Sequence, residues 1–234
     1  MGFDTAVFWG ALTSAAFARG AALTLALAAL AHAAAIVIAI PLAILLRRPG
    51  RRWRWPVVAY VGLFRAIPTL LLLLIVWNAL PQVLPALREP WFTPFLAAFV
   101  ALALNEAAYQ VEINRAALAA VDEGQIAAGD ALGLKRWQTF RLIVLPQAVR
   151  TALPPTVNEF ITLLKLTSLA SVISLQELMT VTQITVARTF QFAEHYAAAL
   201  VYYLVMVFGL MALQARIERR FAWSARAPAA SRRA

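Results

Sequence analysis

The stretch that decides the fold is AALTLALAALAHAAAIVIAIPLAILL, residues Ala21–Leu46, which is interrupted only by His32 and Pro41. A helix needs about 20 mostly apolar residues to cross the hydrocarbon core of a bilayer, and this stretch exceeds that length. Its apolar run is too long for a cleaved signal peptide, and no Lys or Arg precedes Arg19. We therefore predict a retained membrane-spanning helix.

Four further stretches have the length and composition of spanning helices, although the third of these is the least apolar. They are Pro56–Trp77, Trp91–Val111, Pro155–Leu175 and Tyr196–Leu213. Overall, 62% of the residues are hydrophobic and 14% are charged, whereas soluble domains are about 45–50% apolar and about 25% charged. This composition excludes an ordinary soluble enzyme. Because backbone groups in lipid must bond internally, we predict an all-α membrane protein with five spans.

Basic residues are concentrated on one side of the predicted spans. Sixteen of the 21 Lys and Arg residues lie between spans one and two, between spans three and four, or after span five. Cytoplasmic loops carry an excess of Lys and Arg, so we predict an external N-terminus and a cytoplasmic C-terminus. The net charge of +10 is explained by these loops, and it does not indicate nucleic-acid binding.

The predicted cytoplasmic connection between spans three and four, about 40 residues long, is unusually long for a compact domain. It contains a candidate two-turn helix with one small apolar face, formed by Ile126, Ala127, Ala128, Ala131 and Leu132. Gly133 is well placed to end this helix. Such a helix either packs on its own chain or docks on a partner, and the residues alone leave both possibilities open.

A second helical pattern follows in the same connection. Trp137, Phe140 and Val144 repeat at helical spacing, with basic residues between them, until Pro146. This pattern is typical of a helix that lies at a membrane surface. We therefore predict a surface helix here, separate from the fourth span.

Three charged side chains fall inside the predicted spans: Arg65, Glu159 and Lys165. An intramembrane charge costs about 2.5–3.5 kcal/mol on insertion scales and needs a partner or a function. Glu159 and Lys165 are six residues apart, so they do not share a helix face. In one interpretation Arg65 binds a substrate carboxylate and Glu159 binds an amino or cationic group at a subunit interface. In the other, an Arg65–Glu159 pair only holds two helices together.

The remaining polar residues give no catalytic or metal-binding pattern. His32 is interpreted as a satisfied histidine in the first span, and Asn105-Glu106 as contacts between helices. The chain has no Cys and no His, Asp and Glu cluster with metal-ligand spacing. Gly124 and Gly129 have the spacing of a phosphate-binding loop, but Asp130-Ala131 stands where Lys-Ser/Thr is needed. We predict that this chain binds neither a metal ion nor ATP.

A series of spaced motifs runs from the second span into the fourth. They are Arg65-Ala66-Ile67-Pro68, Tyr109-x-x-Glu112-Ile113-x-Arg115, Gly124-Gln125 with Ala131-Leu132-Gly133, Trp137-Gln138, Ile143-Val144-Leu145-Pro146-Gln147-Ala148, Leu153-Pro154-Pro155, Asn158-Glu159-Phe160-Ile161, Leu164-Lys165 and Thr167-Ser168-Leu169. Together they resemble the "EAA" loop region of ATP-binding-cassette importer permeases, in the branch for polar amino acids (histidine, glutamine, arginine and opine types). The resemblance covers about residues 19–215.

The resemblance implies a transport subunit, not an enzyme, in the inner membrane of a bacterium. It implies a five-helix type I importer transmembrane domain at 19–215 with a coupling loop at about 113–153. An external segment at 1–18 and a basic cytoplasmic tail at 216–234 flank it. The implied partners are a cytoplasmic ATPase dimer, which holds ATP and Mg²⁺, an external solute-binding protein that delivers an amino acid, and a second permease copy or a sister permease.

The resemblance also implies roles for particular residues. The residues expected to couple to the ATPase are Gly124, Gln125, Ala127, Ala128, Asp130, Ala131, Leu132 and Gly133. The residues expected along the substrate pathway are Arg65, Glu159, Thr162 and Lys165. The glutamate that names the motif is replaced by Ala127, and its second alanine by Gly129, so Ala127 offers no salt bridge to the ATPase.

Two alternatives stay open at this point. The first is a permease of the same fold for an opine or an osmolyte. The second is a stand-alone membrane enzyme or channel whose inner loop is only structural.

Overall fold

The structure, a computed structural model, describes residues 2–47 and 50–221, with side chains up to residue 219. Most of the predicted tail at 216–234 lies outside the described residues. The described chain contains nine main helices and a short 3-10 helix over Pro85–Arg88. The nine are α1 (Thr5–Leu12), α2 (Ala15–Leu46), α3 (Arg51–Ala66), α4 (Thr69–Val83), α5 (Pro94–Ala119), α6 (Glu123–Ala131), α7 (Arg136–Ile173), α8 (Leu178–Thr189) and α9 (Phe192–Phe221).

Four of these helices, α2, α5, α7 and α9, are each long and apolar enough to cross a membrane. The consecutive helices α3 and α4 make a fifth span if the bent pair is counted as one. Each of the five predicted spans therefore corresponds to one helix or to one bent pair. Each helix or bent pair extends beyond the predicted bounds at one end or at both, since hydropathy alone does not register polar helix ends.

The core of the molecule is the contact of α5 with α2. Ala97, Ala98 and Ala101 on α5 are completely buried, as are Leu27 and Ala31 on α2. Small side chains let two helix backbones approach closely, which is how helices associate where lipid removes the hydrophobic driving force. The central position of α5 explains why polar residues near its midpoint face other helices and avoid lipid.

The second span is bent by 101° between α3 and α4, a bend that the predicted span over Pro56–Trp77 does not include. Pro68 has no N–H, and in a continuous helix that N–H would bond to the carbonyl of Phe64. Asn105 takes its place, because its Nδ2 donates to the Phe64 carbonyl at 2.7 Å. Thr69 in turn donates its hydroxyl to Asn105 Oδ1 at 3.3 Å. Asn105 thus holds the bend.

The fourth span differs from the prediction in the opposite way. The predicted surface helix and the predicted span over Pro155–Leu175 form one helix, α7, of 38 residues, so the prediction that the surface helix is separate is wrong. A π-helical turn over Phe140–Val144 precedes Pro146, and such turns accommodate local irregularity in the hydrogen bonding. Gln147 Nε2 donates to the Ile143 carbonyl at 3.0 Å. The helix therefore continues through Pro146.

A buried carboxylate fixes the start of α8. Glu177 accepts hydrogen bonds from the backbone N–H groups of Met179 and Thr180, and from the hydroxyls of Thr24 on α2 and Tyr203 on α9. Burial raises the pKa of Glu177, and the donated hydrogen bonds oppose that rise. This carboxylate joins three helices at one point.

Candidate functional site

The short helix α6 has a defined beginning and end. At its start, Asp122 Oδ1 accepts the N–H of Gly124 at 2.6 Å. At its end, the N–H of Leu134 bonds to the Gly129 carbonyl at 3.1 Å, and Gly133 adopts a left-handed conformation with φ of 71°. This is a Schellman C-cap, in which glycine is favoured. The prediction that Gly133 ends the helix is confirmed.

One face of α6 is exposed and the other is fixed to the base of α7. Ala127, Ala128, Ala131 and Leu132 are exposed, and Leu132 is 77% accessible. Ile126 instead packs inward with a buried cluster of Leu118, Val121, Val144 and Ala148. The prediction that Ile126 belongs to the same face as the alanines is therefore wrong. Its larger side chain fills the space beneath the helix, and the exposed apolar face consists of the other four residues.

Gly129 lies where α6 meets α7. A Cβ at this position would lie 2.8 Å from Thr139 Cγ2 and 3.2 Å from Ile143 Cδ1. Thr139 is itself buried, so it has little room to move. Farther along, Gln147 Nε2 donates to Gln125 Oε1 at 3.4 Å. These contacts attach α6 to the first turns of the long helix that also carries Glu159.

The predicted pathway residues of α7 lie along or beside one polar stripe. Pro155, Asn158, Thr162 and Lys165 follow one another at helical spacing, and all are exposed except Thr162, which is half-buried. Glu159 is half-buried beside this stripe. Polar and charged groups in a span face a helix bundle or a water-filled cavity in preference to lipid. This face of α7 is therefore unsuited to contact with lipid.

Arg65 does not form an ion pair with Glu159, because no contact shorter than 4.0 Å joins them among the described side chains. Its guanidinium instead lies 5.3 Å from the centre of the Tyr109 ring, in a cation–π geometry. Glu159 is nevertheless within electrostatic range of Arg65, and also of Glu106 and His32. Arg65 and Glu159 therefore do not form the pair that would only hold two helices together. The guanidinium of Arg65 and the carboxylate of Glu159 both remain able to form further hydrogen bonds.

A buried polar network lies next to Glu159. His32 Nδ1 is 3.0 Å from Glu106 Oε1, and both side chains are almost inaccessible to solvent. Gln110 Nε2 donates to the same Glu106 oxygen at 3.4 Å, and Thr156 donates to Gln110 Oε1 at 3.2 Å. The His32 ring also stacks on Phe160 with ring centres 5.0 Å apart. This His32–Glu106 network joins α2, α5 and α7.

Most of the chain matches known proteins. The family described as "Binding-protein-dependent transport system inner membrane component" matches residues 34–223. The chain belongs to this family. It is therefore an inner-membrane permease subunit of a transport system and not an enzyme, and ATP hydrolysis belongs to a separate ATPase.

Relatives of the permease are similar over almost their full length. The octopine transport system permease protein OccM of Rhizobium meliloti is 39% identical over 225 residues, 93% of this chain and 90% of the relative. The glutamine transport system permease protein GlnP of Escherichia coli is 34% identical over 220 residues, 94% of this chain and 98% of the relative.

Solved structures give the same result for the fold of the permease. The crystal structure of an amino acid ABC transporter with histidines superposes with a TM-score of 0.83 at 31% identity, covering 94% of this chain and all of that chain. The MetNI methionine ABC transporter, in an inward-facing conformation, gives a TM-score of 0.75 at 22% identity and supports the fold alone. The predicted fold class, a type I importer permease, is confirmed.

Some features of this site can be predicted from a short stretch of sequence and others cannot. The cap at Gly133 is local and was recognisable. The role of Gly129 depends on Thr139, and the pairing of His32 with Glu106 joins residues 74 positions apart, so neither has a local signature. Within the described ranges, no three His, Asp or Glu side chains are grouped to hold a metal ion.

Proposed function

We propose that this permease imports a polar or basic amino acid, moving it by alternating access between the two sides of the inner membrane. The glutamine and octopine permeases named above support an amino-acid-like substrate. An opine is the second candidate, because octopine transport is the named function of a relative that matches nearly the whole chain. An osmolyte has no comparable observation in its favour.

In this proposal the N-terminal segment 1–18 lies outside, the transmembrane domain occupies 19–215, and the tail at 216–234 is cytoplasmic. An external solute-binding protein delivers the substrate. A second copy or a sister permease covers the polar stripe of α7, so that Glu159, Thr162, Lys165 and the more distant Arg65 line the pathway. The stripe supports this arrangement because its exposed asparagine and lysine are unfavourable against lipid.

The loop helix α6 is the proposed contact with the cytoplasmic ATPase dimer, which holds ATP and Mg²⁺. The exposed face of Ala127, Ala128, Ala131 and Leu132 is small and apolar, as a docking face needs to be, and Gly124, Gln125, Asp130 and Gly133 border it. The observation that carries this proposal is the firm attachment of α6 to α7. When the ATPase moves α6, the contacts at Gly129 transmit the movement to the helix that carries Glu159.

The docking proposal is tested by copurification of the ATPase with the permease. Leu132→Asp places a charge in the centre of the apolar face, where burying it without a partner is costly, and we expect loss of the ATPase from the purified complex. The control is Leu84→Asp, which introduces the same change at a leucine with 49% exposure on the predicted external side. Retention of the ATPase by Leu132→Asp would support the alternative of a loop with only a structural role.

The pathway proposal is tested by Glu159→Gln, which removes the carboxylate charge and keeps the shape. We expect ATP-dependent uptake of basic amino acids to fall at least about tenfold, since a hydrogen bond to a charged group contributes about 1.5–3 kcal/mol, with assembly of the complex unchanged. Uptake kinetics equal to those of the unmodified permease would argue against a role of Glu159 in binding substrate.

A further inference from the structure

Glu106 lies at the midpoint of α5, a membrane-spanning helix. It is 3% exposed, so in a bilayer it is a carboxylate within the hydrocarbon core. Such a group is expensive and usually functional. The sequence resemblance and the proposed pathway use other residues, and they leave this carboxylate without a role.

The His32–Glu106 network touches α7 on both sides of Glu159. Thr156, one turn before Glu159, bonds to Gln110, which bonds to Glu106. Phe160, the residue after Glu159, stacks on His32. The position of Glu159 on α7 is therefore set by contacts to the same pair of residues.

The pair also contributes to the electrostatic environment of Glu159. The charged or titratable groups that act on Glu159 are Glu106, His32 and Arg65. Glu106 is the one carboxylate among these three. Its negative charge favours a nearby cation, whereas the positive charge of Arg65, and of His32 when it is protonated, opposes one. Because water is scarce inside a helix bundle, such a charge acts over a longer distance than it does in solvent.

We propose that Glu106, held in place by His32 and Gln110, is a specificity-determining residue that favours a cationic substrate side chain at Glu159. It does not need to touch the substrate, since it acts through the position of Glu159 and through its own charge. This inference rests on the proposed function of Glu159.

The test is direct binding of arginine and citrulline to the purified permease–ATPase complex without the external binding protein. These two amino acids have nearly the same shape, but only arginine has a charged side chain. We expect Glu106→Gln to weaken arginine binding on the order of tenfold, as for charges about 10 Å apart at an effective dielectric constant of about 20. Citrulline binding should change by less than about twofold.

The matched control is Glu112→Gln, which removes a carboxylate from the same helix at a more exposed position, paired with Arg115 at 2.7 Å. It should leave the ratio of arginine to citrulline affinity unchanged. If Glu106→Gln weakens both ligands equally, or changes the ratio no more than Glu112→Gln, Glu106 is only structural and the inference is wrong. If Glu106→Gln does not assemble, the double variant His32→Gln/Glu106→Gln replaces it, because its two amides can bond to each other. The ratio of arginine to citrulline affinity in the double variant then tests the inference in the same way.

Glu159→Gln separates the two proposals. Loss of the arginine preference in Glu159→Gln but not in Glu106→Gln would overturn only the inference about Glu106. An unchanged preference in Glu159→Gln would overturn the proposed substrate site itself.

Discussion

Gly129 shows how a single missing methyl group determines the geometry of the coupling region. Gly133, four residues later, is required for its backbone conformation, with φ of 71°. Gly129 is helical, and its requirement comes from the close approach of Thr139 and Ile143. Two glycines four residues apart therefore serve different physical purposes, one conformational and one steric.

The steric role predicts the result of Gly129→Ala. Alanine improves helix propensity by about 1 kcal/mol, but overpacking a tight contact typically costs about 1–3 kcal/mol. We expect α6 to shift away from α7, so that ATPase activity stimulated by the loaded binding protein falls severalfold. The measurement is stimulated against basal ATPase activity of the reconstituted complex.

Thr139→Ser provides the rescue for this variant, because it removes the Cγ2 atom that lies closest to the added Cβ. The double variant should recover most of the stimulation. Gly209→Ala is the control, since no neighbouring atom lies within 4 Å of a Cβ at that position. Normal stimulation in Gly129→Ala would show that this contact does not transmit movement.

For single residues, the sequence predicts those features that depend only on neighbours along the chain. The cap at Gly133 is confirmed, and Glu112 and Arg115, three residues apart on one helix, form an ion pair at 2.7 Å. The inward packing of Ile126 and the pairing of His32 with Glu106 depend on helices that meet only in the folded chain. Neither could be read from a single stretch of residues.

At the scale of helices, two prolines have opposite outcomes. Near Pro68 the span bends by 101°, and Asn105 from a different helix binds the carbonyl that the bend leaves free. At Pro146 the helix continues, and Gln147 on the same helix binds a nearby carbonyl. Hydropathy predicts the number of spans because it reflects the free energy of transfer to lipid. It does not show which side chain donates a hydrogen bond to a backbone carbonyl near a proline. That is why the bend in the second span is not predicted and why the prediction of a separate surface helix is wrong.

The continuity of α7 predicts that its stiffness matters for coupling. Val149 and Ala152 lie on α7 between its contact with α6 and Glu159. Replacing both in the double variant Val149→Gly/Ala152→Gly weakens the helix there, since each glycine costs up to about 1 kcal/mol of helix stability. We expect the ATPase to copurify normally while substrate-stimulated hydrolysis falls. The control is Ala212→Gly with Ala215→Gly on α9, which should reduce stimulation much less. Equal losses in both double variants would indicate general destabilisation.

At the scale of the whole molecule, the orientation in the membrane is the prediction on which the others depend. The chain contains no Cys, so a single introduced cysteine gives an unambiguous label. Val83→Cys, at a residue 76% exposed, should react with a membrane-impermeant maleimide in intact cells. Leu132→Cys should react only after the membrane is permeabilised. Labelling of Leu132→Cys in intact cells would reverse the orientation and remove α6 from the reach of any cytoplasmic ATPase.

The length of α7 has a mechanical consequence. At about 1.5 Å per residue, its 38 residues extend for roughly 57 Å, whereas the hydrocarbon core is about 30 Å thick. A helix of this length that spans the bilayer therefore has roughly half of its length outside the apolar layer. A tilt of only about 5° would carry the projecting tip sideways by roughly 2 Å.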